Sequence, residues 1–512
     1  MSASNQETVK ETGRTPSMFA SLLVMGVMVA LILLSVVLFG SEVADGPLQV
    51  SMTLATLFAL SVAFYYGFRG SLISQAIASG VNGAIGTVFV IIAIGTVIGT
   101  LYLSGSVAAF VYYGVAIISA KIFYVTVFII ASVVSILLGS SLTTVGAVGI
   151  AFVGLASIVG VNPAIAAGAA VSGAILGNKI AKISDTANLT VATVGGLTID
   201  EHSRTVTRTA IPTALISALL FLVLGFFGGS AEGAVDVAQV QDTISQYFNV
   251  SLLAFIPVIL IFVLSGLRFS AYMSLMLSAI FAVVLAAFTQ HDLIVSLAGD
   301  ANLPYFEAVV KVGVDTFANG FHLDSGVEAL DTLFAGGGVA GMLSTVWLVL
   351  VAASFGAVAG YTGMLKRIIT PVINLSRGPA SLALVTMLTS IGLNFATADP
   401  YTSIVLAGRM FRNEYIKERL KPVLLSMAIA DSGTIFSHVI PWNVHGAIFA
   451  GTLGLATLKW APFTFFAYLT PIVTFVMIYV HYLHKDRLPS DEDAQKVYGA
   501  EPSQLPESTQ LA

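Results

Sequence analysis

The 512-residue chain contains no cysteine and few charged residues. Without cysteine it has no disulfide, thiol nucleophile, thiolate zinc site or Cys-ligated iron–sulfur cluster. Charged residues make up 10% of the chain, against roughly a quarter in soluble domains, and hydrophobic residues make up 57%. A soluble protein of this size needs more polar surface, so the composition predicts a chain whose main solvent is lipid.

The sequence also lacks the signs of several other function classes. Basic residues stand in short loops rather than in one patch, and the net charge is −5, which argues against nucleic-acid binding. No Gly-Lys-Ser/Thr phosphate loop occurs, which argues against an ATP-driven pump. Because no metal motif and no nucleophile–base set stands out, we predict neither an enzyme nor a cofactor.

Long apolar runs recur along nearly the whole chain, whose mean hydropathy is +0.93. The first, from Met18 to Phe39, is about as long as a bilayer is thick at ~1.5 Å per residue. The polar residues 1–17 before it predict a cytoplasmic N-terminal segment and a retained first span rather than a cleaved signal peptide. Residues 485–512 are rich in Asp, Glu, Ser, Pro and Gln, which predicts a disordered cytoplasmic tail.

The distribution of Lys and Arg predicts the orientation, because cytoplasmic loops carry the positive excess. Basic residues gather in short loops, most densely at 409–421, and these loops and both termini are predicted to be cytoplasmic. Loops 40–49 and 229–250 carry acidic but no basic residues, so they are predicted to be external. These assignments of loops to the two sides of the membrane are consistent with one another only if the short apolar stretch 107–119 is re-entrant or interfacial. The chain then has about 12–14 crossings.

Two parts of the chain repeat the same order of features. Residues 18–228 contain an interrupted span near 164–196 that follows a neutral turn, and residues 251–484 contain one near 422–456 that follows a strongly basic loop. The difference in loop charge predicts that the two halves, separated by the external loop 229–250, are inverted in the membrane. The predicted fold class is therefore an all-α polytopic membrane protein with two inverted repeats and discontinuous or re-entrant helices. Small-residue packing contacts between helices are the alternative explanation of the breaks.

Each break carries one aspartate in an apolar stretch, Asp185 in the first and Asp431 in the second. A carboxylate at the bilayer centre costs roughly 2.5–3.5 kcal/mol on insertion scales, so both are candidate functional residues. Hydroxyl and amide oxygens beside them suit a sodium ion, and a desolvated carboxylate also carries a proton near neutral pH. His438 and His445 flank the second break as candidate proton sensors or as packing residues. The predicted ion- or substrate-binding residues of the two breaks are Ser184, Asp185, Thr186, Asn188, Asp431, Ser432, Thr434 and Asn443.

Two further points concern charge within the predicted spans. Asp399 begins another span, where it is either a third ion ligand or a solvated residue at a helix start. Lys182 and Lys179 stand three and six residues before Asp185, so a structural salt bridge is the alternative explanation of that carboxylate.

The residues around the two breaks resemble the signature regions of the NhaC family of sodium/proton antiporters. The resemblance implies the inverted-repeat fold of the ion transporter superfamily in a prokaryotic inner membrane, with exchange of internal sodium for external protons. Elevator-type motion and a homodimer are further expectations that rest on the resemblance alone. The segments that carry it, within residues 80–460, are 172–174, 184–189, 401–411, 430–434 and 440–443.

The chain departs from that family's pattern at three positions. Asn178 stands where an acidic residue is usual, Pro400 where a Gln commonly follows the aspartate, and His445 where a small residue is frequent. Members similar to this family also carry amino acids, malate or lactate. The altered residues therefore leave an organic substrate open.

Two function hypotheses follow from the sequence. The first is secondary exchange of sodium for protons across a lipid bilayer, with Asp185 and Asp431 as sodium ligands and at least one of them as proton carrier. The second is sodium- or proton-coupled transport of an amino acid or small carboxylate, whose carboxylate is held by half-helix N-termini. A channel is a third class, and it requires a continuous polar pore.

Overall fold

The computed structural model of the protein describes residues 13–117, 119–227, 237–300, 302–324, 331, 334–373, 376–482 and 487–499. Within these ranges the chain is almost entirely helical, because a helix satisfies its own backbone groups where lipid offers no hydrogen bonds. The antiparallel strand pair that is described joins β1, Phe321–His322, to β2, Ala335–Gly336. The predicted all-α fold class is confirmed. Residues 1–12 of the N-terminal segment, 229–236 of the external loop and 485, 486 and 500–512 of the tail lie outside the described ranges.

The helices that precede the predicted external loop include six apolar helices of full membrane length and two shorter helices that meet at a bend. In chain order they are α1 Met18–Phe39, α2 Pro47–Tyr65, α3 Gly70–Leu103, α4 Ser106–Ile117, α5 Phe123–Leu138, α6 Ser141–Val159, α7 Pro163–Ile180, α8 Asp185–Val194 and α9 Ile199–Phe227. One of the six is α5, taken together with the short helical turn Ala120–Ile122 that precedes it.

The helices that follow are more often short or bent. In chain order they are α10 Val237–Tyr247, α11 Ile256–Gly266, α12 Ala271–Thr289, α13 His291–Ala298, α14 Tyr305–Asn319, α15 Gly338–Tyr361, α16 Met364–Ile373, α17 Pro379–Thr397, α18 Pro400–Lys417, α19 Pro422–Val439, α20 Val444–Leu453, α21 Thr457–Phe463, α22 Phe465–Met477 and α23 Asp491–Tyr498.

The outer surface of the helices is apolar. In the described part of the chain, nine helices are long and apolar enough to cross a membrane, or up to 13 spans if each bent pair counts as one. Large side chains on these helices point outward, and Phe19, Val37, Phe227 and Phe288 are 75%, 80%, 84% and 83% exposed. Soluble proteins do not expose so many large apolar side chains together, so this surface contacts lipid.

Two helix pairs are bent at the predicted breaks. Helices α7 and α8 meet at 44°, and α19 and α20 meet at 43°. Each pair follows two helices that join at a left-handed residue: Gly139, with φ 65°, between α5 and α6, and Ala398, with φ 56°, between α17 and α18. The same order of elements therefore occurs twice. The opposite direction of the two halves in the membrane stays a prediction.

Each left-handed junction contacts the break of its own half. A β-carbon on Gly139 would overlap the side chain of Ile183, in the break between α7 and α8. In the second half, the carbonyl oxygen of Ala398 accepts a hydrogen bond of 2.9 Å from the N–H of Val444, at the start of α20. Each break thus contacts the turn between the two preceding helices.

The short apolar stretch at 107–119 forms helix α4, which ends at Ile117. Its first turns are buried, as at Val107, Ala108 and Val111. A helix of this length rises about 18 Å at ~1.5 Å per residue, which is less than the ~30 Å hydrocarbon core. The prediction that it does not cross the membrane stays open to test.

The prediction of a disordered tail is wrong for residues 487–499. Helix α23 lies against α18, where Arg412 Nη2 donates to the carbonyl oxygen of Tyr498 at 2.7 Å. The Tyr498 hydroxyl donates to the carbonyl oxygen of Leu420 at 3.0 Å, and both Tyr498 and Ala494 are buried. The polar composition suggested disorder, but two buried side chains and a cation at the helix C-terminus hold the segment in place.

Candidate functional site

A buried ion pair links the two broken helix pairs. Lys179 Nζ, in the last turn of α7, lies 3.0 Å from Asp431 Oδ1 in α19, and their side chains are 3% and 0% exposed. Asp431 belongs to a π-helical segment, Ala430–Thr434, and such segments are frequent at functional sites. Desolvating two charges costs several kcal/mol per ion, so the pair needs further hydrogen bonds to persist.

Two threonine hydroxyls supply those hydrogen bonds. Thr209 Oγ1 on α9 and Thr474 Oγ1 on α22 each donate to Asp431 Oδ2 at 2.7 Å. Lys179 Nζ in turn donates to Thr209 Oγ1 at 2.9 Å and lies 5.7 Å from the centre of the Phe466 ring. Four helices from both halves of the chain therefore meet at one carboxylate.

A small cavity of about 20 Å³ lies beside the ion pair. This volume holds about one water molecule, or one cation without its hydration shell. Lys179 is part of the cavity wall, whereas its partner Asp431 is not among the lining residues. The other polar side chains of the wall come from α7, α8, α9 and α19, and they are Asn178, Thr186, Thr190, His202, Thr434 and His438.

Two buried imidazoles in the wall are hydrogen-bonded to serines. His202 Nδ1 lies 2.6 Å from Ser426 Oγ. His438 Nδ1 lies 3.0 Å from the backbone carbonyl three residues earlier, which assigns the proton to Nδ1 and leaves Nε2 to accept from Ser141 Oγ at 3.1 Å. The centre of the His445 ring lies 4.3 Å from that of His438. Because Ser141 begins α6 and His438 ends α19, this hydrogen bond also joins the two halves.

Some of the predicted site residues lie near the cavity, and the side chains of others form hydrogen bonds with the backbone. Thr186 and Thr434 line the cavity, and Asp431 forms the ion pair behind it. Ser432 is buried, and its hydroxyl donates to the backbone carbonyl four residues earlier. Asn188 is exposed, and its side-chain amide donates to carbonyl oxygens in the first break at 3.0 and 2.7 Å.

Three other predicted site residues cap helices. The Ser184 hydroxyl begins α8 and accepts from the N–H three residues later at 3.4 Å. The Asp399 carboxylate does the same at the start of α18, at 2.7 Å, and the Asn443 side chain accepts from the N–H two residues later at the start of α20, at 3.2 Å. These oxygens satisfy the N–H groups that a helix start leaves unpaired. Their role as ion ligands stays a prediction.

Asp185 lies on the exposed side of the first break, outside the cavity wall. Its carboxylate accepts from the Tyr401 hydroxyl at 2.6 Å and from the N–H of Thr186 at 2.8 Å. The contact with Tyr401, at the start of α18, joins this break to the second half of the chain. Whether Asp185 binds sodium stays a prediction.

The alternative that a lysine neutralises Asp185 is wrong. Lys179 pairs with Asp431, and Lys182 pairs with Asp200 at 2.6 Å. The break between α7 and α8 lies between Lys179 and Asp185, so two charges that are close in sequence are not close in space.

The sequence alone did not identify Thr209, Thr474 or His202 as site residues. Each lies outside the two breaks, on helices α9 and α22, and a buried threonine or histidine on an apolar helix is a weak signal. Asn178 was identified in the sequence only as a departure from the family pattern. The structure adds that Asn178 Oδ1 is buried and has no hydrogen-bond partner among the described residues.

Comparison with known proteins gives one family for this fold and site. Residues 183–481 match the model of the Na+/H+ antiporter family. The chain is 31% identical over 460 residues to the Na(+)/H(+) antiporter NhaC of Alkalihalophilus pseudofirmus, covering 90% of this chain and 95% of the relative. It is 27% identical to the malate-2H(+)/Na(+)-lactate antiporter of Bacillus subtilis, covering 89% and 93%. It is 26% identical to the arginine/ornithine antiporter ArcD of Halobacterium salinarum, covering 91% and 92%.

The helical fold, its lipid-facing surface and these matches define a multi-pass membrane transporter. The chain belongs to the Na+/H+ antiporter family, and the predicted resemblance to its NhaC members is confirmed. The relatives named here are antiporters, in agreement with transport rather than catalysis.

Proposed function

We propose that the protein exchanges sodium for protons at Asp431, where the Lys179 ammonium takes the place of the transported cation between cycles. The observation that carries this proposal is the buried ion pair, 3.0 Å long, at the meeting point of the two broken helix pairs. A carboxylate that holds a cation of its own protein is able to hold a transported cation instead. We further propose an inner-membrane location with both termini in the cytoplasm, from the distribution of Lys and Arg.

Sodium enters the cavity and displaces the ammonium from Asp431. A hard cation prefers oxygen ligands, and the hydroxyls of Thr209 and Thr474 already surround this carboxylate. Thr186 and Thr434 place two more hydroxyl groups in the cavity wall. Hydroxyl oxygens are therefore present both at Asp431 and in the cavity wall.

A charge balance couples the two ions. If Lys179 stayed protonated beside bound sodium, two buried cations would face one carboxylate, and an uncompensated buried charge is costly. Lys179 therefore releases its proton when sodium binds. When sodium leaves, Lys179 takes up a proton and the ion pair forms again, so each ion moves only in exchange for the other.

Exchange that includes a small organic solute is the second candidate. Two relatives are named as antiporters of malate and lactate or of arginine and ornithine. In the present conformation, a cavity of about 20 Å³ is far smaller than the roughly 300 Å³ and more of a small-molecule pocket. The cavity thus favours an inorganic cation.

The test is sodium-driven pH change in proteoliposomes that contain the purified protein. We expect Asp431→Asn to abolish the pH change, because the amide lacks the charge that attracts a cation. The matched control is Asp200→Asn, which removes an exposed carboxylate and should keep the exchange. Asp185→Asn in the same assay decides whether the exposed aspartate also binds sodium.

Two results would contradict the proposal. Full exchange in Asp431→Asn would remove Asp431 from the site. Proton movement that requires added malate, lactate or arginine in the unaltered protein would establish the second candidate instead.

A further inference from the structure

A second pocket, of about 580 Å³, lies where α1 begins and where α15 is followed by α16. Among the described residues, none lines both this pocket and the cavity beside the ion pair. The volume falls within the roughly 300–1,000 Å³ of small-molecule sites, so the pocket is large enough for an organic ligand. Its wall has charged, hydroxyl and apolar parts, which include Thr15, Met18, Phe68, Tyr361, Lys366 and Arg367.

Hydrogen bonds and a ring contact hold the wall in place. The N–H of Arg14 donates to the carbonyl oxygen of Tyr66 at 2.9 Å, and the Tyr66 hydroxyl donates to Ser17 Oγ at 3.0 Å. Phe68 is 8% exposed, and the centre of its ring lies 6.0 Å from that of Tyr361. These contacts join the segment before α1 to the turn after α2, and that turn to the end of α15. The pocket is therefore part of the fold rather than a gap between loosely packed segments.

The charge of the wall is positive. Lys366 and Arg367 supply it, and no acidic residue lines the pocket in the described part of the chain. Both residues stand in the first turn of α16, where the partial positive charge of a helix start disfavours cations. The stability of α16 therefore does not explain them. A bound anion would compensate both charges.

The pocket also borders the surface that contacts lipid. Phe68 and Tyr361 add aromatic rings to its wall, and Tyr361 is 40% exposed. Met18 lines the pocket, while the next residue, Phe19, is 75% exposed on the outer surface of α1. A ligand in the pocket can thus contact the two cations with one end and the lipid-facing surface with the other.

Helix α16 places the two cations at the edge of the membrane. Its ten residues rise about 15 Å at ~1.5 Å per residue, about half of the ~30 Å hydrocarbon core. Met364, Leu365 and Ile369 are buried, whereas Lys366 and Arg367 are exposed. Because α16 follows the end of the span α15, its basic side lies at the depth of the phospholipid headgroups.

We infer that this pocket binds an anionic phospholipid, with the headgroup phosphate between Lys366 and Arg367 and the acyl chains along Met18 and Phe19. Guanidinium and ammonium groups bind phosphate oxygens through charge-assisted hydrogen bonds. A soluble phosphate compound has the same charge but no apolar part for the lipid-facing side of the pocket, so the observations favour a lipid. The distribution of Lys and Arg predicts that this lipid comes from the cytoplasmic leaflet. The inference does not depend on the proposed ion exchange, because it involves none of the residues of the ion site.

The test is the unfolding temperature of the full-length protein in a neutral detergent, measured against the mole fraction of added dioleoylphosphatidylglycerol. A lipid that binds only the folded protein raises this temperature. Each basic residue near a membrane surface contributes about a factor of five to the affinity for anionic lipid. We therefore expect the half-saturating mole fraction to rise about fivefold in Lys366→Gln or Arg367→Gln and about thirtyfold in the double variant. If the double variant does not fold, the two single variants test the inference.

The matched control is the double variant Arg377→Gln and Arg409→Gln, which removes two exposed cations outside the pocket that are also predicted to be cytoplasmic. It should respond to phosphatidylglycerol as the unaltered protein does. Dioleoylphosphatidylcholine has the same acyl chains but no net charge, and it should stabilise the unaltered protein less and all variants equally. Inorganic phosphate supplies the anion without the apolar part, and it should leave the unfolding temperature unchanged.

Other results would overturn the inference. An equal loss of response in both double variants would assign the binding to the overall positive charge, and an unchanged response in both would place the lipid elsewhere. Stabilisation by inorganic phosphate that is lost in Lys366→Gln and Arg367→Gln would assign the pocket to a soluble anion. A response to phosphatidylglycerol that appears only after Glu7→Gln and Glu11→Gln would show that the chain's own residues 1–12, rather than a lipid, occupy the pocket.

Discussion

The carboxylate of Asp431 is held by groups from three other helices, the ammonium of Lys179 and the hydroxyls of Thr209 and Thr474. Hydrogen bonds to a charged group are worth about 1.5–3 kcal/mol each, roughly twice a neutral one. A residue with such partners is fixed in place, and any movement of one helix changes the environment of the charge. The site is thus sensitive to the relative position of α7, α9, α19 and α22.

Removing one of the hydroxyls should weaken sodium binding. We expect Thr474→Val to raise the sodium KM of proton exchange about tenfold, since 1.4 kcal/mol corresponds to a factor of ten. Thr470→Val is the matched control, because Thr470 lies one turn earlier on α22 and its hydroxyl donates at 2.6 Å to a carbonyl of its own helix. Equal KM values for the two variants would show that the hydroxyl of Thr474 takes no part in binding.

At the residue scale, the sequence identified Asp431 because a carboxylate in an apolar run is costly and conspicuous. The same signal identified Asp185 equally well, although the structure places that residue on the exposed side of its break. Sequence position gave no information on Thr209 or Thr474, which come from helices far away in the chain. A partner that is defined by packing alone cannot be predicted from local pattern.

At the scale of helices, the two left-handed junctions differ in their residue. Gly139 occupies the first, and Ala398, which has a β-carbon, occupies the second with φ 56°. A left-handed conformation costs a residue other than glycine roughly 1–2 kcal/mol. The second half of the chain therefore holds a strained turn next to the break that carries the site.

Exchanging glycine and alanine at these junctions should have opposite effects on stability. We expect Gly139→Ala to lower the unfolding temperature, since the new methyl group would overlap Ile183 and the backbone would be strained. Ala398→Gly should raise it by an amount that corresponds to about 1 kcal/mol, because the strain is relieved. Thermal unfolding in detergent measures both, and a loss of stability in Ala398→Gly would contradict the idea of strain.

The predicted broken helices exist because polar and small residues interrupt apolar runs at both places, which is a local property. The structure of the C-terminal segment, in contrast, depends on contacts with residues far away in the sequence. Its composition is that of a disordered segment, and the burial of Tyr498 and Ala494 depends on a surface formed by α18 and by residues near Gly196. Composition does not report such a surface.

At the scale of the whole molecule, helix α23 joins parts of both halves. Arg412 Nε lies 3.3 Å from the carbonyl oxygen of Val194, at the end of the first broken pair, while its Nη2 holds Tyr498. The carbonyl oxygen of Arg419 accepts from the N–H of Leu488 at 2.7 Å. Arg412 thus joins the C-terminal segment to the end of α8, and Leu488 joins it to the loop that precedes α19.

The attachment of α23 should depend on pH. Burial raises the pKa of Tyr498 above its usual value of about 10, so the neutral phenol favours the attached state. This contribution is complete below about pH 10 and is lost as the pH rises further, because the detached phenol ionises first. Since the chain has no cysteine, a spin label on Val497→Cys would report the release as increased mobility.

The control for this prediction is the same label combined with Tyr498→Phe. Phenylalanine keeps the ring but neither ionises nor donates to Leu420, so the attachment should be weaker at every pH and its pH dependence should disappear. A release at the same pH in both proteins would assign the effect to another group.

The ion pair between Lys179 and Asp431 also bears on how the protein is made. Lys179 leaves the ribosome roughly 250 residues before Asp431, which at about 5–20 residues per second is on the order of tens of seconds. During that time its positive charge has no carboxylate partner from α19, and inserting it into lipid alone costs roughly 2.5–3.5 kcal/mol. The Lys179 ammonium on α7 therefore needs contact with water, the insertion machinery or a lipid headgroup until the second half of the chain has been translated. The charge balance of the first half of the chain thus depends on a carboxylate that is made with the second half.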